Sequence, residues 1–517
     1  MQNSDSKPEW VTQFERPPGT EIKRINGHFY LYERFSVYDP KTKKKHKKSG
    51  AMLGTITPDG LVPKRARLEQ AELASIENLE YGASMFLYQS AADMVIRLQT
   101  CFPHVWREIL AMAVLRCVEP GPFKRIGHQF TLSYLSQVLG NLSLSPPAIT
   151  DLLKKIGTDR GAIGRYMKND LGRTGIVMLD GHRLISCSEN LENARLGYDS
   201  KRRYMPQVNL IYLFSVSPEG RLPVYYKQFS GDVPDVSAFS DILADSGLKA
   251  QEITLVADKG FGSGGNFDCI VESGLAYIIP LKRGTREIPE LPDGTGGYEH
   301  VFNFRGRPVY SKTFHYDGYR VILYHDSDLA SYETADLIDR LNKKNATMTL
   351  AREKEAIRRK KGKSRLSDVE LDKLDPVDIP QMLRSCTGIG TFILKTNRLD
   401  LNSQQVHHLY KTRQEIEQTF KSYDNTLDCS ASYMRDIYSL EAWLFINHLA
   451  LQMLYRVLDL IAARDLTSEY SFDDLVSYLK SVRVNRIGGK WYLTKITRKT
   501  KELCDRLAID LTLEPKR

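Results

Sequence analysis

The order of apolar runs between residues 176 and 281 constrains the fold of this chain more than any other feature. Runs rich in Val, Ile, Leu and Tyr are typical of strands, and the stretches between them have helical spacing. Two of the runs flank Ser217-Pro-Glu-Gly220 and indicate a hairpin. The predicted strands are 176–180, 207–216, 222–229, 252–258 and 275–281, with helices at 236–246 and after Gly265. This order predicts an α/β fold with a mixed sheet.

The rest of the chain divides into regions of different composition. Its 517 residues are enough for several domains with their own cores. The predicted regions are a β-rich region with a basic loop (1–65), a helical DNA-binding region (66–172), an α/β domain (173–284 and 388–455), an insertion (285–387) and a helical, basic tail (456–517). Candidate helices in the second region are 67–100, 104–118, 132–139 and 146–157.

The charge balance favours an anionic partner. The net charge is +10, from 73 Lys and Arg against 63 Asp and Glu, and the sequence pI is about 9.0. Nucleic acid is the commonest partner of such a chain. The seven cysteines include no CxxC pair, which argues against a zinc knuckle or a dithiol site. They are interpreted as reduced, structural cysteines of a cytosolic protein.

No stretch predicts a membrane span. The N-terminal residues are polar and lack the apolar core of a signal peptide. The longest apolar stretch, 442–454, is interrupted by Asn447, His448 and Gln452. We interpret it as a buried helix, too short and too polar to cross a bilayer.

A lysine-rich run follows a predicted turn at Asp39-Pro40. It contains Lys43, Lys44 and Lys45. Two interpretations stay open: a solvated loop between strands, or a contact to DNA phosphates.

Helices 132–139 and 146–157 resemble a helix-turn-helix pair. Gly140 would lie in the turn, Ser145 is a candidate N-cap and Pro146 suits a first helical turn. Pairs of short helices are common, so plain packing and DNA recognition both remain possible.

Two isolated aspartates, Asp180 and Asp258, each end a strand-like run, and a third carboxylate lies at Glu417. Residues 410–424 predict a helix with a polar stripe made of Tyr410, Arg413, Glu417, Lys421 and Asp424. Each acid alone would be read as a turn, cap or solvated residue. Together, carboxylates at strand ends and on a later helix predict a magnesium site for phosphodiester chemistry.

These motifs resemble those of DDE transposases of bacterial insertion sequences, in the branch around the insertion sequence four family. Its Tyr-x2-Arg-x3-Glu-x6-Lys signature is matched by Tyr410, Arg413 and Glu417, but Asp424 replaces the lysine. The second-acid motif, Asp-x-Gly-Phe/Tyr, is matched at 258–261, and the first-acid segment at 179–181. The resemblance covers about 175–455.

The resemblance implies a ribonuclease-H-like catalytic domain with a β-rich and helical insertion. Asp180, Asp258 and Glu417 would hold two Mg²⁺ ions, with Mn²⁺ as a substitute. Tyr410 and Arg413 would contact DNA phosphates, and Lys421 would partly replace the missing lysine. The implied function is cleavage and strand transfer at terminal inverted repeats, by a homodimer on double-stranded DNA, including target DNA, in the bacterial cytoplasm at the nucleoid and away from membranes.

Several neighbouring groups are weaker candidates for the site. The carboxylates Asp232, Asp235 and Asp268 rank below the main three, and His182 is read first as a structural residue. Two alternative functions remain open at this point. One is a non-catalytic, domesticated DNA-binding protein, and the other is a standalone Mg²⁺-dependent DNA nuclease that lacks strand transfer.

Overall fold

The computed structural model divides the chain into two compact units. One comprises Met1–Glu77 with Asn485–Trp491, and the other Asn78–Val484 with Tyr492–Arg517. The structure describes residues 7–40, 42–64, 76–171, 175–198, 204–217, 220–248, 253–258, 261, 264–289, 291–292, 296–361, 375–413 and 423–513.

The smaller unit contains an antiparallel sheet. Its elements are a helical turn α1 (Glu9–Thr12) and the strands β1 (Thr20–Ile25), β2 (His28–Asp39), β3 (Lys44–Thr57) and β4 (Gly60–Pro63). The strands pair in chain order. Phe29 and Leu31, at alternating positions of β2, are buried with Val11 and Ile56, because successive strand residues face opposite sides of the sheet.

The lysine-rich run forms the start of β3, whereas the sequence predicted a loop. Lys44 lies opposite Asp39 and Lys45 opposite Tyr38 in the β2–β3 hairpin. Lys43, in the turn, has a left-handed backbone with φ of +51°. The neighbouring strand supplies main-chain hydrogen-bond partners whatever the side chain, so a run of low strand propensity is extended here.

The larger unit begins with short helices. They are α2 (Gly82–Ser90), α3 (Ala92–Cys101), α4 (Trp106–Val118), α5 (Ile126–Leu132), α6 (Leu135–Leu139), α7 (Pro146–Thr158) and α8 (Arg160–Leu171), with a 3₁₀ turn at Phe123–Arg125. The predicted helix 67–100 differs from this arrangement. Its first residues lie outside the described part, a strand β5 (Glu77–Glu80) follows, and α2 and α3 are separated at Ala91.

The α6–α7 pair has the local chemistry that the sequence predicted. Gly140 ends α6 with φ of +79°, where a side chain would be strained. The Ser145 hydroxyl accepts a hydrogen bond from the amide of Ala148, and Pro146 is the first residue of α7. The cap and the turn are therefore confirmed, because both depend only on neighbouring residues.

The α/β part of this unit is built on a mixed sheet. Its strands and covering helices are β6 (Ile176–Ser186), β7 (Arg195–Tyr198), β8 (Tyr204–Ser217), β9 (Gly220–Ser230), α9 (Asp235–Ser246), β10 (Thr254–Ala257), α10 (Gly264–Glu272), β11 (Ala276–Leu281), β15 (Thr391–Thr396) and β16 (Ala431–Ser432). At its centre β11, β10 and β6 run parallel, and β8 runs antiparallel beside β6. The predicted mixed α/β sheet is confirmed.

The predicted insertion contributes strands to the same sheet. Its elements are β12 (His300–Phe304), β13 (Arg307–Tyr316), β14 (Tyr319–Asp326), α11 (Ser327–Lys360) and α12 (Ile379–Ser385). Strand β14 pairs with β15, and β15 pairs with β11, so residues 300–326 extend the sheet at its edge. The sequence predicted a separate insertion here because a charged helix interrupts the order of the strands.

After the sheet, the chain forms α13 (Ser403–Lys411), α14 (Ile437–Ala462), α15 (Phe472–Lys480), β17 (Arg483–Ile487), β18 (Lys490–Leu493) and α16 (Arg498–Leu507). The tail is thus not wholly helical, as the sequence predicted, since β17 and β18 interrupt it. In the described chain, α14 is long and apolar enough to cross a membrane, but 78% of its most apolar window is buried inside the protein. Its burial agrees with the predicted core helix.

A carboxylate on α14 connects the helical region to the sheet. Glu441 accepts hydrogen bonds from Arg160 Nη1 at 2.6 Å, the Tyr226 hydroxyl at 2.9 Å and Gln228 Nε2 at 2.6 Å. Arg160 begins α8, whereas Tyr226 and Gln228 belong to β9. Because the Glu441 side chain is almost fully buried, these donors replace the water that it loses on folding.

We expect Glu441→Gln to lower the free energy of unfolding by about 2 kcal/mol, because the half-buried Arg160 and two neighbouring donors then face a neutral amide in place of a buried carboxylate. Urea unfolding followed by tryptophan fluorescence measures the change.

Glu502→Gln is a matched control. Glu502 also pairs with an arginine, Arg498, at 2.6 Å, but both side chains are exposed. The control should change the unfolding free energy by less than about 1 kcal/mol. Equal losses in the two variants would show that the Glu441 network does not hold the helices to the sheet.

Candidate active site

The pairing of β6 with β10 brings the first two predicted acids together. The strands run parallel, with Leu179 opposite Ala257. Asp180 and Asp258 are the next residues on each side, so they lie side by side. The predicted end of the first strand at Asp180 is wrong, because β6 continues to Ser186 through its pairing with β8. The residues before the two aspartates are fully buried, which fixes the backbone from which both carboxylates extend. The Gly181 amide donates to Asp180 Oδ1 at 2.9 Å and helps to orient that side chain.

Arg413 lies between the two carboxylates. Its Nη1 atom is 3.8 Å from Asp180 Oδ2, and its Nη2 atom is 3.4 Å from Asp258 Oδ1. The side chains of Asp180 and Arg413 are only 14% and 12% exposed, whereas Asp258 is 42% exposed. One guanidinium thus offsets the repulsion between two carboxylates that water screens incompletely.

Helix α13 ends just before Arg413 and determines where this side chain starts. The helix begins with a capping box in which Asn402 accepts from the Gln405 amide and Gln405 accepts from the Asn402 amide. It continues to Lys411, and Arg413 lies in the turn that follows. The sequence predicted a helix over 410–424. Residues 414–422 lie outside the described part, so this prediction is not tested there.

Two contacts attach the last turn of α13 to the sheet edge. The Tyr410 ring stacks on Phe392 of β15 with a centroid distance of 6.1 Å. Lys411 Nζ is 3.2 Å from Asp326 Oδ2, and both side chains are nearly buried. Sequence reasoning missed Asp326 and Lys411. An aspartate before Ser327 is a readable helix cap, but no local signal predicts its pairing with a lysine 85 residues away.

The third predicted acid, Glu417, and the predicted DNA contact Lys421 lie outside the described residues. In the described part of the chain, no three His, Cys, Asp or Glu side chains are grouped closely enough to hold a metal ion. Asp180 and Asp258 lie next to each other, and the role of Asp180, Asp258 and Glu417 as metal ligands stays a prediction.

Asp424 interacts with a residue of the acid-bearing strand. His182 Nε2 is 3.2 Å from Asp424 Oδ1. His182 is two residues after Asp180 in β6, so both side chains point to the same face of the sheet. The neighbouring Tyr423 is buried and meets the His182 ring edge-on at 5.8 Å. The carboxylate at position 424 therefore lies beside a histidine of the acid-bearing strand.

The weaker candidates occupy other positions. Asp232 is exposed and accepts a hydrogen bond from the Ser230 hydroxyl, which lowers its pKa. Asp268 is exposed on α10. Asp235 is the first residue of α9, and its side chain is outside the described part. The hairpin lysines Lys44 and Lys45 are exposed in the smaller unit.

Comparison with known proteins gives one family. The family model for the transposase DDE domain matches residues 172–453, which is more than half of the chain. No curated protein matches. Among solved structures, a piggyBac transposase synaptic complex with hairpin DNA is similar at 11% sequence identity and a TM-score of 0.36, covering 72% of this chain and 70% of that one.

His407, inside α13, gives the stability of this region a predictable dependence on pH. Its side chain is fully buried among Phe302, Phe304 and Tyr324, and burial followed by the charge of Lys411 lowers its pKa to about 3. The unfolded chain, with a histidine pKa of about 6.5, binds the proton more readily. Stability is therefore complete above about pH 6.5 and falls as the pH decreases toward 3.

Below about pH 6.5, the free energy of unfolding should depend less on pH in His407→Phe than in the wild type, by up to about 1.4 kcal/mol per pH unit. The variant keeps an aromatic ring but removes the titrating group. Urea unfolding at pH values between 7 and 4.5 measures the slope.

His128, an exposed histidine of α5, provides the control. His128→Phe should leave the slope as in the wild type. If His407→Phe also left it unchanged, burial of His407 would not be the source of acid sensitivity in this helix.

Proposed function

Because this chain belongs to the family of transposases with a DDE domain, we propose that it cuts and joins DNA at the terminal inverted repeats of an insertion sequence. We further propose that it belongs to the Tyr-Arg-Glu-Lys branch around the insertion sequence four family. Tyr410 lies in the last turn of α13, and Arg413, two residues after that helix, contacts both aspartates, which supports this branch. The replacement of its lysine by Asp424 is the one departure.

We propose a ribonuclease-H-like core for the central sheet. The strand order β9-β8-β6-β10-β11 supports it, with β8 antiparallel to both neighbours and the last three strands parallel. In open sheets of this kind, side chains at the carboxyl ends of parallel strands meet at one edge. Asp258 follows the carboxyl end of β10, and Asp180 lies in β6 at the point where the pairing with β10 ends.

The convergence of Asp180 and Asp258 on one guanidinium is the observation that carries the proposal. Their oxygens are hard ligands of the type that Mg²⁺ prefers, so this pair fits a divalent ion. We propose Glu417 as the third ligand. The three carboxylates would hold two Mg²⁺ ions, and Mn²⁺ would be able to substitute for them. Bound there, the metal would activate the attacking oxygen and stabilise the leaving one.

The residues around the acids have distinct proposed roles. Arg413 would bind a DNA phosphate through two parallel hydrogen bonds, and Tyr410 would bind one through its hydroxyl. The contacts of α13 with β15 and Asp326 hold the helix end that carries Tyr410 and precedes Arg413. Lys421 would take over part of the contact that a lysine at position 424 would make. Asp424 itself, through His182, would tie the following chain to β6.

We propose double-stranded DNA as the partner, both the terminal repeats and the target. The net charge of +10 and the exposed lysines of the β2–β3 hairpin support this. Two ends have to be joined to one target, so we propose a homodimer on DNA. The mass of the protein–DNA complex would give the number of protein chains in it. The expected site of action is the nucleoid in the bacterial cytoplasm, which imaging of a fluorescent fusion would test.

We expect Asp180→Asn, Asp258→Asn and Glu417→Gln each to slow strand cleavage by about a thousandfold or more while DNA binding persists, because each removes a charged metal ligand. The assay uses Mg²⁺ and duplexes containing the DNA that flanks the gene. Cleavage and joined products are separated on denaturing gels, and binding is measured by gel shift.

Asp268→Asn is the control, because it removes an exposed carboxylate that follows the second acid motif. It should cleave like the wild type. A wild-type protein that shifts DNA without cutting it would support the domesticated binding protein. Cuts without joined products would support a standalone nuclease. If all three acid variants cleaved normally, the catalytic assignment would be wrong.

We expect the double variant Lys44→Gln and Lys45→Gln to weaken binding to DNA of any sequence and to reduce the salt slope by about one per lost phosphate contact. In the same fluorescence-anisotropy titration, Lys421→Ala should weaken binding to the element's ends. Lys343→Gln with Lys344→Gln, two exposed neighbours on α11, controls for the loss of charge. Unchanged slopes and affinities would remove the hairpin and Lys421 from the DNA-binding surface.

A further inference from the structure

We infer that Arg413 is an internal counter-ion of the acid pair, and that it must leave Asp180 and Asp258 before they can hold a divalent metal ion. DNA and metal would then bind cooperatively, because a phosphate that takes Arg413 frees the two carboxylates. The inference rests on the proposed metal-binding role of these acids and deepens it. Arg413 would thus have two alternative partners, the carboxylates of Asp180 and Asp258 in the free protein and a DNA phosphate in the complex.

The geometry gives Arg413 both carboxylates at once. Its two terminal nitrogens point to different aspartates, at 3.8 Å for Asp180 and 3.4 Å for Asp258. A guanidinium presents its donors in a fixed planar fork, so one group can contact two anions at once and offset part of their charge. Both the arginine and Asp180 are nearly buried, and in such surroundings an uncompensated carboxylate pair would be costly.

This arrangement competes with metal binding. The Arg413 guanidinium keeps its charge at every accessible pH, so protonation changes cannot remove it from the site. A divalent cation bound by the same oxygens would lie close to that charge and be repelled by it. The acids therefore have two alternative counter-ions, and each excludes the other.

The anchoring of α13 determines how the exchange occurs. Tyr410 is stacked on Phe392 and Lys411 is paired with Asp326, so the backbone just before Arg413 is held to the sheet. The long side chain can still change rotamer around this fixed point. A phosphate accepts the same two-pronged contact that the aspartates now provide. By linkage, DNA that withdraws Arg413 raises metal affinity, and metal raises DNA affinity by the same factor.

The consequence for the free protein is a weak metal site. Without DNA, Arg413 occupies the acid pair and keeps metal affinity low. With a DNA phosphate in place, the carboxylates regain their full negative charge. The site would then assemble mainly on its substrate, which restricts cleavage elsewhere.

The test is a titration of the full-length protein with Mn²⁺ alone, in which electron paramagnetic resonance measures free Mn²⁺. We expect Arg413→Gln to bind Mn²⁺ about tenfold more tightly than the wild type when DNA is absent. Arg413→Met, which also lacks the charge, should behave in the same way if the glutamine variant folds poorly. A duplex from the DNA flanking the gene should tighten Mn²⁺ binding in the wild type but not in these variants.

Arg506→Gln is the matched control, because it removes the same charge and breaks the pair that Arg506 of α16 forms with Glu469, in the segment between α14 and α15. It should bind Mn²⁺ like the wild type. Equal or weaker Mn²⁺ binding by both Arg413 variants would overturn the inference.

Asp180→Asn distinguishes this failure from failure of the proposed function. If Asp180→Asn abolishes Mn²⁺ binding in the wild type, but the Arg413 variants gain no affinity, the metal assignment stands and the counter-ion role is wrong. If Asp180→Asn leaves Mn²⁺ binding unchanged in both the wild-type and the Arg413→Gln background, the metal assignment itself fails, and the inference with it.

Discussion

The parallel register between β6 and β10 is the constraint on which the site depends. With Leu179 opposite Ala257, the next residue on each side is an aspartate: Asp258 follows the end of β10, and Asp180 lies inside β6, which continues to Ser186. Buried residues before them leave the carboxylates little freedom to separate. The fold thus creates a local excess of negative charge that needs a cation. Arg413 meets that need within the chain, and a metal ion would meet it during catalysis.

The surrounding elements determine the position of α13 and therefore of Arg413. Residues 300–326 extend the sheet, and their last strand ends in Asp326, which holds Lys411. Aromatic residues of β12, β14 and β15 surround His407, so α13 packs against these strands. Asp424 lies next to β6, with its Oδ1 atom 3.2 Å from His182 Nε2. A region predicted from the sequence as an insertion therefore helps to position the arginine of the site.

Local chemistry explains most of what the sequence predicted correctly. The apolar runs around Asp180 and Asp258, the hairpin and the Ser145 cap depend on neighbours along the chain, and they agree with the structure. The start of α13 was missed although Asn402 and Gln405 form a readable capping box. The extended lysine run, the Lys411–Asp326 pair and the His182–Asp424 pair depend on distant partners. Residue patterns contain little information about such pairings.

The β2–β3 hairpin has one further physical consequence. Its base contains Phe29, Leu31 and Ile56, but residues 35–38 and 44–48 are exposed and have no core of their own. Two strands alone are only marginally stable in water, and like charges along one strand weaken them further. A polyanion laid along this arm would lower that repulsion. The rigidity of this part of the hairpin and the binding of a polyanion are thus thermodynamically linked. The hairpin would become more rigid when a polyanion binds to it.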